Sequence, residues 1–146
     1  RRRLKPLLAA LHARLVEEGR VGQAIRGRTG GAIPVGGLVP PTGRLGSTTV
    51  LLAGDAAGLA NPVTGAGIAA AVQSGRLAGE AAARLAAGEA GAGEAYADEL
   101  EALFGRSLAR ALARRRELLA CYAGGGGPAA DALKRGWIAY PDYWAA

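Results

Sequence analysis

Leu4, Leu7, Leu8, Leu11 and Leu15 recur at helical spacing and Gly19 follows as a stop, so Leu4–Glu18 predicts an amphipathic helix. From Val21 to Thr29 the period shortens towards two, with Val21, Gln23 and Ile25 alternating against Gly22, Ala24 and Arg26, which predicts a strand. It leads into a turn-rich stretch, Gly30 to Gly46, where Pro34, Pro40 and Pro41 exclude a helix. Thr48–Ala53 is β-branched and apolar and ends at Gly54-Asp55, the pattern of a strand buried on both faces and central in a sheet. After a loop over Ala56–Gly65, a long helix is predicted from about Gly67 to Ala87, with Ile68, Val72, Gly75, Gly79 and Ala82 as a small-residue packing face. Gly88, Gly91 and Gly93 interrupt the pattern, and a second long helix follows from about Glu94 to Tyr122. Its apolar stripe runs through Leu100, Leu103, Phe104, Leu108, Ala111, Leu112, Leu118 and Leu119, while Arg106, Arg110 and Arg114 are expected to form a solvated row. Gly124 to Gly127 with Pro128 end the helix, and a short helical segment over Ala129–Arg135 precedes Trp137, Tyr140, Tyr143 and Trp144. These aromatics either pack as a tail or cover an apolar substrate.

This order of elements predicts an α/β (or α+β) chain, part of a Rossmann-like domain in which one short central strand is followed by long helices. Residues 1–87 would carry the strand and its Gly-Asp turn, and residues 88–146 a helical region packed on them. A chain of 146 residues supports one core and is short for the two full domains of most flavin or nicotinamide enzymes. The sequence begins with Arg1 and is in helical register by Leu4, so an N-terminal part is expected to precede it.

Composition sharpens this picture. The apolar residues are dominated by Ala, with one Phe and no Met, which favours small-faced, closely packed helices. The 24 glycines fall in short clusters rather than a repeat and mark turns and close backbone approaches. The net charge of +6 suits the phosphates of a nucleotide cofactor or an anionic lipid surface. No stretch interleaves basic and aromatic residues as a single-strand binder does, so nucleic acid is not an expected partner. Cys121 and His12 each stand alone, which leaves neither a disulfide framework nor a Cys/His metal cluster and fits a reduced, cytoplasmic setting. With no apolar run near the ~20 residues needed to cross a bilayer, the chain reads as soluble, with at most peripheral contact at an anionic membrane surface.

The chemistry concentrates around one carboxylate. Between Gly19 and Gly79 the sequence has a single acid, Asp55, at the C-terminal end of the predicted central strand. Ligands bind at that edge of open α/β sheets, and a carboxylate there can accept hydrogen bonds from sugar or ribityl hydroxyls; a Gly-Asp turn that only caps nearby amides is the alternative. Asn61-Pro62-Val63-Thr64-Gly65-Ala66-Gly67-Ile68 then combines a rigid turn with two glycines at the entrance of a helix. A helix N-terminus offers unpaired N–H groups and about half a positive charge, and glycines let a ligand touch the backbone. Gly65-Ala66-Gly67-Ile68-Ala69-Ala70 also fits the relaxed G-x-G-x-x-A dinucleotide pattern, but lacks the acid about 20 residues on that usually accompanies it.

The run Val50–Ile68, with Gly54-Asp55-Ala56-Ala57-Gly58 at its centre, resembles the second flavin-binding motif of the FAD-dependent geranylgeranyl reductases, within a larger class that includes aromatic hydroxylases. Gly31-Ala32-Ile33-Pro34-Val35-Gly36-Gly37 is similar to that family's segment before the strand, and together the two cover roughly a third of the chain. The resemblance implies an enzyme, an FAD-dependent oxidoreductase, whose cofactor is contacted by Gly54, Asp55, Ala56, Pro62, Gly65, Ala66, Gly67 and Ile68. Asp55 would bind the ribityl chain, and the Gly65 to Ile68 amides would face the pyrimidine side of the flavin, where the reduced ring carries its negative charge. The implied reaction is hydride transfer to a carbon–carbon double bond of an isoprenoid chain; it needs no side-chain nucleophile, and no catalytic residue is assigned. The family's first fingerprint, a strand and G-x-G-x-x-G turn near the N-terminus, is not in this sequence, so this segment alone is expected to bind FAD weakly.

Two other readings stay open. A flavin-dependent aromatic monooxygenase or halogenase would use the same motif, although aromatic hydroxylases usually carry His where this chain has Gly58. A non-catalytic helical module would instead use the arginine-lined helix to bind a partner or an anionic membrane surface.

Overall fold

The computed structural model describes residues 4–125 and 127–145. In chain order the elements are α1 (Leu4–Glu17), β1 (Thr42–Leu45), β2 (Thr48–Leu51), α2 (Ile68–Ala86), α3 (Ala92–Leu100), α4 (Arg106–Ala123), α5 (Ala130–Gly136) and α6 (Pro141–Trp144). A 3-10 turn over Gly54–Ala57 follows β2, and a π turn over Glu101–Gly105 joins α3 to α4. The architecture is mixed α+β and helix-rich, with one two-stranded sheet. Two compact units divide at Ala32 and Ile33. The expected boundary at residues 87 and 88 falls within the second unit, where α2 packs on α3.

In the first unit α1 forms as its leucine spacing predicts and ends where Gly19 takes φ +67°. None of its described residues is buried. The strand expected over Val21–Thr29 does not form; the segment is irregular and has no ladder partner among the described residues. Three alternating pairs interrupted by Gly22 and Gly27 supply too little side chain to hold a strand that lacks a neighbour.

The second unit opens its regular structure with a hairpin. β1 and β2 pair antiparallel in the register Thr42↔Leu51 through Leu45↔Thr48. Gly46, at the first position of the two-residue loop, has φ +62°, as a type II′ turn requires. β2 therefore corrects the expectation of a central strand covered on both faces: it has one partner strand, and its residues are exposed or half-buried. An apolar, β-branched run fits one packed face of a ribbon as readily as the middle of a sheet, so burial on both sides does not follow from it.

The core gathers Ala57, Leu59, Ala81, Tyr96, Leu100 and Leu108 from the turn, α2, α3 and α4. α2 spans almost the predicted range, but the face predicted to pack is turned outward: Ile68 is 86% and Val72 71% exposed, and Gly75, Gly79 and Ala82 are exposed with them. The inward face is built from Ser74, Leu77, Ala78 and Ala81. Leu77 packs on the core with Ala78 and Ala81, and Ser74 bonds a buried backbone amide, which holds this face inward. The predicted Glu94–Tyr122 helix is interrupted by the π turn, where the Glu101 side chain lies over Gly105. Of the arginine row, Arg106 is exposed as expected, while the other two are engaged. The Arg114 guanidinium is largely buried, pairs with Glu117 and donates to the carbonyls of Asp142, Tyr143 and Ala145, while Arg110 lies over the Trp144 ring. Tyr143, 2% exposed, anchors the tail.

Candidate functional site

The geometry around Asp55 begins with two glycines. Gly54 has φ +55°, and its amide donates to the Ser74 hydroxyl at 2.9 Å, which ties the turn after β2 to the first half of α2. Gly58 closes that turn at φ +75°; a Cβ there would run into the carbonyl oxygen of Gly37, and Val39 N–H donates to the Ala57 carbonyl alongside. The Gly36-Gly37 segment and the Gly-Asp turn are thus held backbone to backbone.

The second half of the motif is organised by Asn61. Its side-chain oxygen accepts from the amides of Val63 and Thr64, its carbonyl accepts from Gly65 N–H, and its own amide donates to the Ala66 carbonyl. Ala66 N–H is taken up by the Thr64 hydroxyl. The amides of Gly65 and Ala66 are therefore spent inside the loop and do not join a four-amide cradle. Gly67, Ile68, Ala69 and Ala70 are different: their amides have no partner among the described residues, and Gly67 carries no side-chain cap. The donor set at the mouth of α2 begins at Gly67.

Asp55 stands beside this mouth. A Cβ on Gly67 would lie 3.1 Å from Asp55 Oδ1, so only glycine leaves the carboxylate and the helix entrance in open communication. The two border an open cleft of about 570 Å³ lined by Ala53, Gly54, Asp55, Ala56, Gly65, Gly67, Ile68 and Ala71, with Ile33 forming the far wall against Gly65. Of the expected site residues, Gly54, Asp55, Ala56, Gly65, Gly67 and Ile68 line this cleft, whereas Ala66 and Pro62 do not. Pro62 is fully buried and its carbonyl accepts from Arg115 at 3.0 Å. None of the four C-terminal aromatics lines the cleft, so they do not cover this site, and of the four only Tyr143 is buried.

Three side chains that the sequence reading passes over hold the cleft in shape. Ser74 grips Gly54, Tyr96 donates its hydroxyl to the Leu52 carbonyl at 2.6 Å, and Arg115 pins Pro62. Burial pushes the Tyr96 phenol above its ordinary range, so it stays protonated and a donor. A hydroxyl in the middle of an alanine-rich helix is the one local signal that could have pointed to Ser74.

The arrangement can hold an electron-rich, flat ligand against bare backbone, with one carboxylate free to accept hydrogen bonds from its hydroxyls. The residues present fit a flavin with its polyol chain: Gly65 and Gly67 leave the backbone bare at the mouth, the walls beside it are apolar, and the lone acid is adjacent. Compared with protein-family models, curated proteins and solved structures, the chain finds no match.

Proposed function

We propose that this chain is the C-terminal portion of an FAD-dependent oxidoreductase of the geranylgeranyl reductase type, in which the hairpin and α2 belong to a Rossmann-like cofactor domain completed by upstream sequence. The observation that carries the reading is the juxtaposition of Asp55 with the glycine entrance of α2 across one open cleft. In this reading Asp55 accepts hydrogen bonds from the ribityl hydroxyls through its side-chain oxygens. The unpartnered amides from Gly67 onward stabilise negative charge on the pyrimidine side of the ring. Ile33 and Ile68 shield the ring from water and offer an apolar approach to an isoprenoid chain. When bound and reduced, the flavin supplies the hydride that adds to an isolated carbon–carbon double bond.

Gly58 supports the reductase branch over aromatic hydroxylation. The His that hydroxylases usually carry at this position has no room beside Gly37, and the left-handed backbone disfavours any side chain.

In the complete protein, Asp55→Ala is expected to weaken FAD binding about 10- to 100-fold, the value of one or two hydrogen bonds to a charged group. Titration of the apoprotein by flavin fluorescence measures it, with circular dichroism as the folding control. Unchanged affinity would remove the reading. Anaerobic reduction of an isoprenoid alkene by the dithionite-reduced enzyme tests the reaction, and a hydroperoxyflavin seen by stopped flow would point to a monooxygenase instead.

A further inference from the structure

The C-terminal segment presents bulky apolar side chains to solvent for which the proposed flavin site has no use. Leu133, Trp137, Ile138, Tyr140 and Trp144 are all exposed within twelve residues, with Trp137 at 47% and Trp144 at 51%. They are not on a loose tail. Tyr143 is buried with its ring 5.1 Å from that of Trp144, Gly136 packs on Leu118, the Trp144 indole N–H donates to the Ile138 carbonyl at 3.0 Å, and Arg114 fastens the backbone of residues 142, 143 and 145. Ordering such side chains in water gains nothing unless something covers them.

The charge around them says what kind of cover fits. Residues 106–145 carry seven Arg and Lys against three acids, Glu117, Asp131 and Asp142. Glu117 is taken by Arg114, and Asp131 faces Lys134 at 3.9 Å. Arg106, Arg110, Arg116 and Arg135 have no acidic partner among the described residues. Arg110 lies 5.3 Å from the centre of the Trp144 ring, so the basic row of α4 and the aromatic surface are contiguous. Trp and Tyr favour the bilayer interface, where the ring meets acyl chains and the polar edge meets headgroups, and Arg beside them meets lipid phosphates.

We propose that the α4–α6 face docks on the surface of an anionic lipid bilayer, with Trp137 and Trp144 entering the interface. The contact is peripheral, since no helix among the described residues is long and apolar enough to cross a membrane. It does not depend on the flavin reading.

Trp137 and Trp144 are the two tryptophans of this 146-residue chain, so its tryptophan emission reports on this surface. Adding phosphatidylcholine vesicles containing phosphatidylserine is expected to shift the emission to the blue, and brominated acyl chains to quench it; vesicles of phosphatidylcholine alone should bind about tenfold less at low salt. In flotation assays the double variant Trp137→Ala/Trp144→Ala is expected to lose about tenfold in bound fraction, and Arg110→Gln with Arg135→Gln to lose the preference for phosphatidylserine. Quenching in the unaltered protein needs no substitution, which covers the case of a variant that misfolds. Flotation without quenching, a double variant that floats as before, or a concentration-dependent blue shift without lipid, marking association of two copies, would each overturn the proposal. Asp55→Ala should leave vesicle binding unchanged, so the two proposals fail separately.

Discussion

Tyr96 shows how a residue remote from the cleft sets its shape. Its hydroxyl holds the Leu52 carbonyl three residues before Asp55, and the rest of the ring fills the core between α3 and the turn. Replacing Tyr96 with Phe keeps the packing and removes the donor, so urea unfolding is expected to show a loss of about 1–3 kcal/mol from the stranded carbonyl. The pH dependence has a definite sign. Because burial raises the folded-state value above the ordinary 10.0, the neutral phenol favours the fold; that contribution is complete below pH 10 and drains away as pH rises through the folded value. The Phe variant should lack this alkaline component, so the two stability curves converge at high pH. Ser74, Tyr96 and Arg115 escaped the sequence reading for one reason. Their bonds cross 20, 44 and 53 positions, and no local pattern encodes a partner that far away.

At the scale of elements, helix extents were legible and helix orientation was not. α1 and α2 begin and end within about two residues of the predicted limits because Gly19, Gly67 and the Gly88 turn act locally, through backbone freedom and missing side chains. Which face of α2 turns inward depends on what the other elements offer, and a helix with Ile68 and Val72 on one side and Leu77 among alanines on the other has two candidate faces. The exposed face makes a clear expectation. Nothing lies within 4 Å of a Cβ at Gly75 or Gly79, so Gly75→Ala and Gly79→Ala should each stabilise this chain by about 0.5–1 kcal/mol, read as higher melting temperatures. If the same changes destabilise instead, another layer packs closely on that face. The π turn was equally illegible, because one extra residue in a helical turn leaves the apolar stripe almost unbroken.

The whole molecule divides unevenly. The unit from Ile33 onward holds the core, the hairpin and the cleft, whereas the first unit rests on one 14-residue helix with no buried residue. Isolated helices of that length are marginal in water. Amide hydrogen exchange is therefore expected to be fast along α1 and at least about 100-fold slower in α2, α3 and α4, whose inward faces open only with the core. What ties the second unit to its own beginning is the meeting of Gly37 with Gly58, segments 21 positions apart that share no side chain at their point of contact. That meeting has an evolutionary consequence: a mutation that adds a methyl at 58 must wait for the Gly37 carbonyl to swing aside, whereas one at 37 meets the Leu112 side chain instead. A lineage that gains a side chain at 58 will have rebuilt the loop at 37.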